Sequence, residues 1–399
     1  MSLAFRQLTK LSVLCATALL TPTLQAEDAI NVQMLYYDEN DETTTIVSPN
    51  IALTLDLSAD YTLQASLGMD ALTGASETWY DKSYIPSSGA SPYKHTKSNP
   101  SAYARGKHIA QKDVGYGLID YRDYRYSASV SLTKRLANRD ELTGGLSYNN
   151  EYEYHIPEVS LGYKHWLDAS KNSAVEASAA YQHTYVLIWC RGNDLCDTDS
   201  GASKTFYQNN TFVQLAYSQV LDKKSKAKLT LFYNNENGFL SNPYKNIVRY
   251  YDTNPIITNE RRPHNRQGYG AKIDYSRALT AKTTLHGSYR YYHDNWELDA
   301  HTLSTTLFHE YTSKLTLQTT LRYYTQSSAS FYSGRKDYFT DEKYASSDFR
   351  LGDLKSYYIQ GGIDYHFRKD LTQNFYLSYY RQDNGLKAVS FIIGQKYLF

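Results

Sequence analysis

Histidine and aspartate recur close together in the second half of the chain, and of all its residues these are the best equipped for catalysis. His286, His293, His301 and His309 fall in neighbouring segments with Asp294 and Asp299. A hydrolytic cluster needs a nucleophile, a base and an orienting acid within hydrogen-bond reach. No Gly-x-Ser-x-Gly elbow, His-Glu-x-x-His or phosphate loop accompanies them. Successive residues of a strand also face opposite ways, which works against gathering these groups. Hydrolysis is therefore a distant third reading, and no catalytic residue, metal ligand or cofactor is assigned.

Two further groupings have chemical potential. Cys190 and Cys196, in Trp189-Cys190-Arg191-Gly192-Asn193-Asp194-Leu195-Cys196, are close in sequence and without a nearby His. In an oxidising compartment that spacing predicts a disulfide stapling a loop tip, ahead of metal binding. Asp197, Asp199 and Gly201 follow as a fragment of a calcium loop whose other ligands are missing, so a solvated loop is expected. Charged and polar residues recur on one parity of the segments described below, among them Arg125, Lys272, Asp274, His286, Arg290, Arg322 and Asp364. If that parity faces a lumen, they either bias the passage of ions or pair across the wall and lock it.

The elements that would position these residues are short, alternating segments. In the stretch from Lys387 to Phe399, Val389, Phe391, Ile393, Tyr397 and Phe399 form one face, and Ala388, Ser390, Gly394 and Lys396 lie on the other, mixed with Ile392 and Leu398. That period of two suits a strand with hydrocarbon on one side, and its length suits a tilted bilayer crossing. Tyr269, Ala271, Ile273 and Tyr275 alternate with Gly268, Gly270, Lys272, Asp274 and Ser276 in the same way. About 16 such segments occur, an even number. Short turns are expected near Ser58, Asn138, Ala169, Lys223, Thr280, Thr312 and Lys369, and long connections at 74–120, 189–206, 239–267 and 328–352. From a periplasmic N-terminus all four long connections fall on one side. The fold class is thus all-β, an antiparallel up-and-down transmembrane barrel with short periplasmic turns and long external loops.

Targeting and composition agree. Arg6 and Lys10, an apolar run from Leu11 to Leu20 and a small-residue site at Ala26 form a secretory signal pattern, giving a signal peptide over 1–26 and a barrel over 27–399. Cys15 is read as a passive residue of that signal. Without Arg6 and Lys10, the 42 basic residues become 40 against 41 acidic, a formal charge of −1 that excludes nucleic-acid binding by bulk charge. Tyrosine accounts for 41 of 399 residues, and a ring with a polar tip suits the membrane–water boundary. Lys82, Lys94, Lys97, Arg105, Lys107 and Lys112, with the cluster Arg261-Arg262-Pro263-His264-Asn265-Arg266, make the long loops candidates to meet lipopolysaccharide phosphates or to steer anions, with plain solvation of these cations as the equal alternative.

Three stretches carry a family resemblance. They are Arg290-Tyr291-Tyr292-His293-Asp294-Asn295-Trp296 with His301-Thr302, Arg322-Tyr323-Tyr324-Thr325-Gln326 with Ala329, Phe331 and Tyr332, and Arg262-Pro263 to Arg266. Together they resemble an uncharacterised proteobacterial group, domain of unknown function 3570. The resemblance implies an outer-membrane barrel and partnership with a periplasmic redox or maturation system, and supplies no substrate or catalytic residue. The aromatic C-terminus, Tyr397 and Phe399, resembles the signal read by the barrel assembly machinery.

Within the two Arg-Tyr-Tyr segments, Arg290, Arg322, Asp294 and Gln326 share the inward parity. A cluster of them at one height would lock the wall or line a constriction. The leading expectation is a porin-like channel for small solutes in the outer membrane, surrounded by lipid and lipopolysaccharide. The rival is a plugged barrel acting as accessory or anchor for an envelope assembly or a periplasmic partner.

Overall fold

A computed structural model describes residues 28–40, 44–84, 106, 108–189, 195 and 203–399. The signal pattern and the Cys190–Cys196 pair lie outside the described residues. In chain order the strands are β1 (Ala29–Glu39), β2 (Thr44–Ser58), β3 (Tyr61–Asp81), β4 (Val114–Arg135), β5 (Glu141–Asn150), β6 (Tyr154–Trp166), β7 (Ser173–Trp189), β8 (Ser203–Asp222), β9 (Ser225–Gly238), β10 (Asn246–Arg249), β11 (Ile256–Asn259), β12 (Asn265–Ala278), β13 (Thr283–Asp294), β14 (Asp299–Thr312), β15 (Leu315–Gln326), β16 (Leu354–Arg368), β17 (Leu371–Gln382) and β18 (Lys387–Leu398). All but β10 and β11 join one antiparallel wall. It closes where β18 returns to β1, pairing Ala29 with Leu398 and Glu39 with Ala388, so sixteen strands form the barrel. Closure leaves no strand edge unpaired, as a wall in hydrocarbon requires.

Alternation decides which face is which. On β18, Val389, Phe391 and Ile393 are 48%, 41% and 36% exposed, while Ala388 on the other face is 3% exposed. Leu67, Leu146, Leu161, Leu215 and Leu303 are each at least half exposed on the same outer surface. An apolar belt of that extent is stable only against lipid. Among the described residues no helix is long and apolar enough to cross a membrane, so the crossings are made by strands.

At the end of the barrel that holds both termini, the connections are short: 59–60, 136–140, 167–172, 223–224, 279–282, 313–314 and 369–370. Several are tightened by a register shift just before the turn, between Asp56 and Ser58, Val220 and Asp222, Glu310 and Thr312, and His366 and Arg368. A bulge there adds the local twist that a very short hairpin loop needs. In the 223–224 turn, Asp222 Oδ1 accepts the Lys224 amide at 2.6 Å. Each expected turn falls in one of these connections or at its edge.

The loop end differs from expectation in extent. Residues 74–81 and 114–120 are not loop, because β3 and β4 run for 21 and 22 residues and stay paired out to Asp81 and Val114. A tilted crossing needs roughly 9–11 residues, so the excess stands beyond the belt. The face of β3 that carries exposed Leu67 carries Trp79 further on, and Trp79 is 4% exposed, packed with Val114, Val248 and Ile257. Similarly, 239–267 is not all loop: it contains the hairpin of β10 and β11, and β12 already begins at Asn265.

Candidate functional site

The inner face is chemically divided around its circumference. On one side, β12 contributes Gly268 and Gly270, and neither tolerates a side chain. A Cβ at Gly270 would run into the Tyr291 carbonyl and the Phe232 ring, and one at Gly268 into the Tyr292 ring. These bare positions let Phe232 from β9 and Tyr292 from β13 lie nearly parallel, 6.5 Å apart with 10° between planes, and Phe212 extends the stack at 6.4 Å. Arg290 reaches over the same ground, its guanidinium 4.5 Å from the Phe232 ring centre and 5.6 Å from that of Tyr292. Two strands on, Arg322 sits 5.0 Å over the Tyr358 ring. Gly362 repeats the device, with the Tyr376 ring where a Cβ would be. Asp364 accepts hydrogen bonds from Tyr376 at 2.5 Å and from Asn374 at 2.6 Å.

Lower on that side, Lys272 and Asp274 pair at 2.7 Å, and their side chains remain 40% and 34% exposed although they point inward. His286 is likewise exposed on the inner face, edge-on to Phe308 at 5.1 Å. The barrel interior here is accessible to solvent.

The opposite side, β3 to β7, carries carboxylates with matched cations. Arg125 lies 3.3 Å from Asp70, and Lys228 from β9 lies 2.5 Å from Glu176. Glu158 is buried on the same wall. Lys164 stands between Glu141 and Glu176 in the register, with its ammonium 4.0 Å from the Trp166 ring centre.

The loop end is locked by buried charge. Glu260, Arg262 and Asp348 are at most 1% exposed. Arg262 Nε lies 2.5 Å from Glu260 Oε1 as an ion pair outside hydrogen-bond alignment, while its Nη2 donates to Asp348 at 2.7 Å. Arg350 Nε donates to the same carboxylate at 2.6 Å. Burial alone would raise the Asp348 pKa, but Arg350 and then Arg262 outweigh it and hold the carboxyl well below its ordinary range. Lys245 donates to the Glu77 carbonyl, and burial pulls its pKa down to about 8 against the attraction of Asp348. Asn246 binds Thr78 and the Trp79 carbonyl at 2.9 and 2.8 Å.

These contacts span the mouth. The segment 239–264 is rooted between β9 and β12, yet it grips β3, which lies six strands away around the wall in one direction and further in the other. Arg335, in 327–353, bridges from Glu77 of β3 at 3.3 Å to the Asn384 carbonyl between β17 and β18 at 3.5 Å.

The residues singled out from sequence meet different partners from one another. Asp294 is fully buried and takes Arg266 Nε at 2.7 Å, Tyr292 Oη at 2.9 Å and the Trp296 amide at 2.9 Å. Gln326 donates to the carbonyls of Arg350 and Gly352 at 2.9 and 2.7 Å, tying β15 to the locked loops. Arg290 and Arg322 join neither group and rest on rings. Arg262 and Arg266, expected as solvent-facing loop cations, are 1% and 5% exposed, because each has a buried carboxylate to neutralise it. Sequence reading missed Glu260, Lys245, Asp348 and Arg350. The available signal was the acid–base alternation Glu260-Arg261-Arg262 and Asp348-Phe349-Arg350 in two long connections.

The histidines do not gather. His286 faces inward, whereas His293, His301 and His309 share the outer parity of Tyr289 and Leu303. There His293 meets Asp299 at 3.0 Å, His301 meets Tyr289 at 2.8 Å and His309 meets Thr283 at 3.0 Å. Among the described residues no group of three or more His, Cys, Asp and Glu is arranged to hold a metal ion. Tyr397 and Phe399 are 40% and 56% exposed at the turn end, their rings 6.1 Å apart, and the Phe399 amide donates to the Asp28 carbonyl at 3.0 Å.

A closed antiparallel barrel with an outward apolar belt is the outer-membrane barrel class. The chain belongs to the family described as protein of unknown function (DUF3570), which it matches over residues 9–396. None of the curated proteins matches it. Among solved structures it is similar to the ferric enterobactin receptor PfeA of Pseudomonas aeruginosa, at 11% identity and a TM-score of 0.46, over 91% of this chain and 54% of that one. The chain thus spans about half the length of that receptor. It is also similar to a bacterial polysaccharide outer membrane secretin (8% identity, TM-score 0.48, 94% of this chain and 100% of the other) and to the CymD monoaromatic hydrocarbon channel (10%, 0.43, 94% and 89%). At these identities the likeness is one of fold.

Proposed function

We propose that this chain is a porin-like outer-membrane channel whose short turns face the periplasm and whose locked loops form an external cap. It is delivered by a cleaved signal peptide over 1–26, and the barrel assembly machinery recognises the terminal aromatics Tyr397 and Phe399. Lipid and lipopolysaccharide surround the belt. The observation that carries the reading is the Lys272–Asp274 pair, inward-pointing, four to six residues inside the end of β12 at Ala278 and still 40% and 34% exposed. A sealed core would bury such a pair, and a water-filled lumen does not.

Stable ohmic steps from purified protein in a planar bilayer are the expected result. Their absence over many insertions overturns the proposal. A second reading is favoured by the lock of Glu260, Arg262, Asp348 and Arg350 across the mouth: a plugged barrel serving as anchor for a periplasmic redox or maturation partner. The two separate on Asp348→Ala, which raises conductance if the loops cap an otherwise open lumen and changes nothing if the lumen is filled below them.

A further inference from the structure

The two arginines facing the lumen from β13 and β15 are held by rings, as Lys164 is by Trp166, and not by a carboxylate. Arg125, Arg262, Arg266, Arg350 and Lys228 each meet a carboxylate. Among the described residues, Arg290 and Arg322 meet only aromatic rings. Their planar forks of N–H donors are therefore left for something other than protein. Lys272, the register partner of Arg290, is by contrast neutralised by Asp274 at 2.7 Å. On the far wall, β4 lies seven strands from β13 one way and nine the other, and β6 lies five away; β4 carries Arg125, β6 carries Glu158, and Glu151 lies in the connection between β5 and β6.

We propose that Arg290 and Arg322, with the half-buried rings of Phe232 and Tyr358, form a binding strip for small organic anions that carry a flat unsaturated face. Aromatic carboxylates are the simplest such class. A guanidinium takes a carboxylate through two parallel hydrogen bonds, and a planar ring gains from stacking on a ring already ordered. Gly268 and Gly270 keep the approach shallow, because the rings lie along the wall where side chains would otherwise stand. Arg290 is level with Tyr324, and Arg322 is two residues along from that level, so the two charges sit about 10–12 Å apart from strand spacing and rise. Two weak sites in sequence suit passage better than one tight site.

The inference rests on the channel reading only in requiring that solutes reach the lumen. It is tested with the full, folded barrel in detergent by titrating benzoate and acetate and following ligand saturation-transfer signals, with conductance measured in parallel. Benzoate is expected to bind at least tenfold tighter than acetate. Arg290→Gln with Arg322→Gln should weaken benzoate at least tenfold. Arg290→Lys with Arg322→Lys, which keeps the charge and loses the planar fork, should retain acetate binding and lose the preference for benzoate. Equal affinity for the two probes, or benzoate binding unchanged in the Gln pair, overturns the strip. Should either pair fail to fold, the comparison of the two probes on the unaltered protein still decides. Benzoate binding without conductance would sink the channel reading and leave the strip standing, whereas conductance without benzoate binding would do the reverse.

Discussion

Asp348 shows how one carboxylate can tie together loops that meet across a mouth. Removing it strands the buried guanidinium of Arg350 and leaves Arg262 with Glu260 alone, and breaking a buried pair in this way costs about 3–5 kcal/mol. Asp348→Ala should therefore expose 239–264 to protease while leaving the heat-modified mobility of the wall unchanged. The pH dependence has a definite sign. Because the folded pKa of Asp348 is depressed, its contribution is present above the ordinary carboxylate value of 3.8 and is lost only as pH falls through the lowered one. Protease resistance of the cap should thus persist at pH 4 and fail in stronger acid. Lys245 moves the cap in the same direction over a higher window: folded near 8 against an ordinary 10.5, it binds fewer protons in the folded state, so the cap should gain stability between those values as pH rises. Gly270 is the other decisive residue. Gly270→Ala forces a Cβ into the Tyr291 carbonyl, a backbone atom, and overpacking of this kind costs about 1–3 kcal/mol, visible as a lower unfolding temperature of the detergent-solubilised barrel.

At the level of elements, alternation made the crossing strands legible and connection length made their order legible. The turn at 223–224 and the terminal strand β18 needed nothing beyond local pattern. Legibility failed where a strand left the lipid. Beyond Gly74, β3 reads Ala75-Ser76-Glu77-Thr78-Trp79, which has lost the apolar face that marks a strand in hydrocarbon while keeping its ladder to β4. The lock was illegible for a different reason. Glu260 and Asp348 are separated by 88 positions, and no periodicity links loops whose meeting depends on how the wall curves. Arg290, Arg322, Asp294 and Gln326 share one parity in the register, but parity cannot say that Asp294 turns to Arg266 and Gln326 to the loop carbonyls. Loss of Phe399 should slow assembly of the barrel in cells, read as accumulation of the heat-unmodified form, because β18 closes the wall and its end is held by Asp28.

Across the whole molecule, the belt and the lumen obey opposite rules, and substitutions on the two faces should differ accordingly. Leu161 is 59% exposed on the belt. Leu161→Arg near the bilayer midplane should cost about 2–4 kcal/mol in reversible unfolding from lipid vesicles. Ser160→Arg, one position along and facing inward, should cost far less and alter conductance instead.

The single face of β3 that carries Leu67 and Trp79 is greasy toward lipid at one height and greasy toward protein at another. One polypeptide ribbon thus passes from an oily solvent into an aqueous one without changing its parity. The portion beyond the belt is in effect a small water-soluble hub mounted on a membrane stem. Urea applied to barrels in vesicles should melt the hub first, seen as a shift in Trp79 and Trp296 emission, and only at higher concentration unzip the stem.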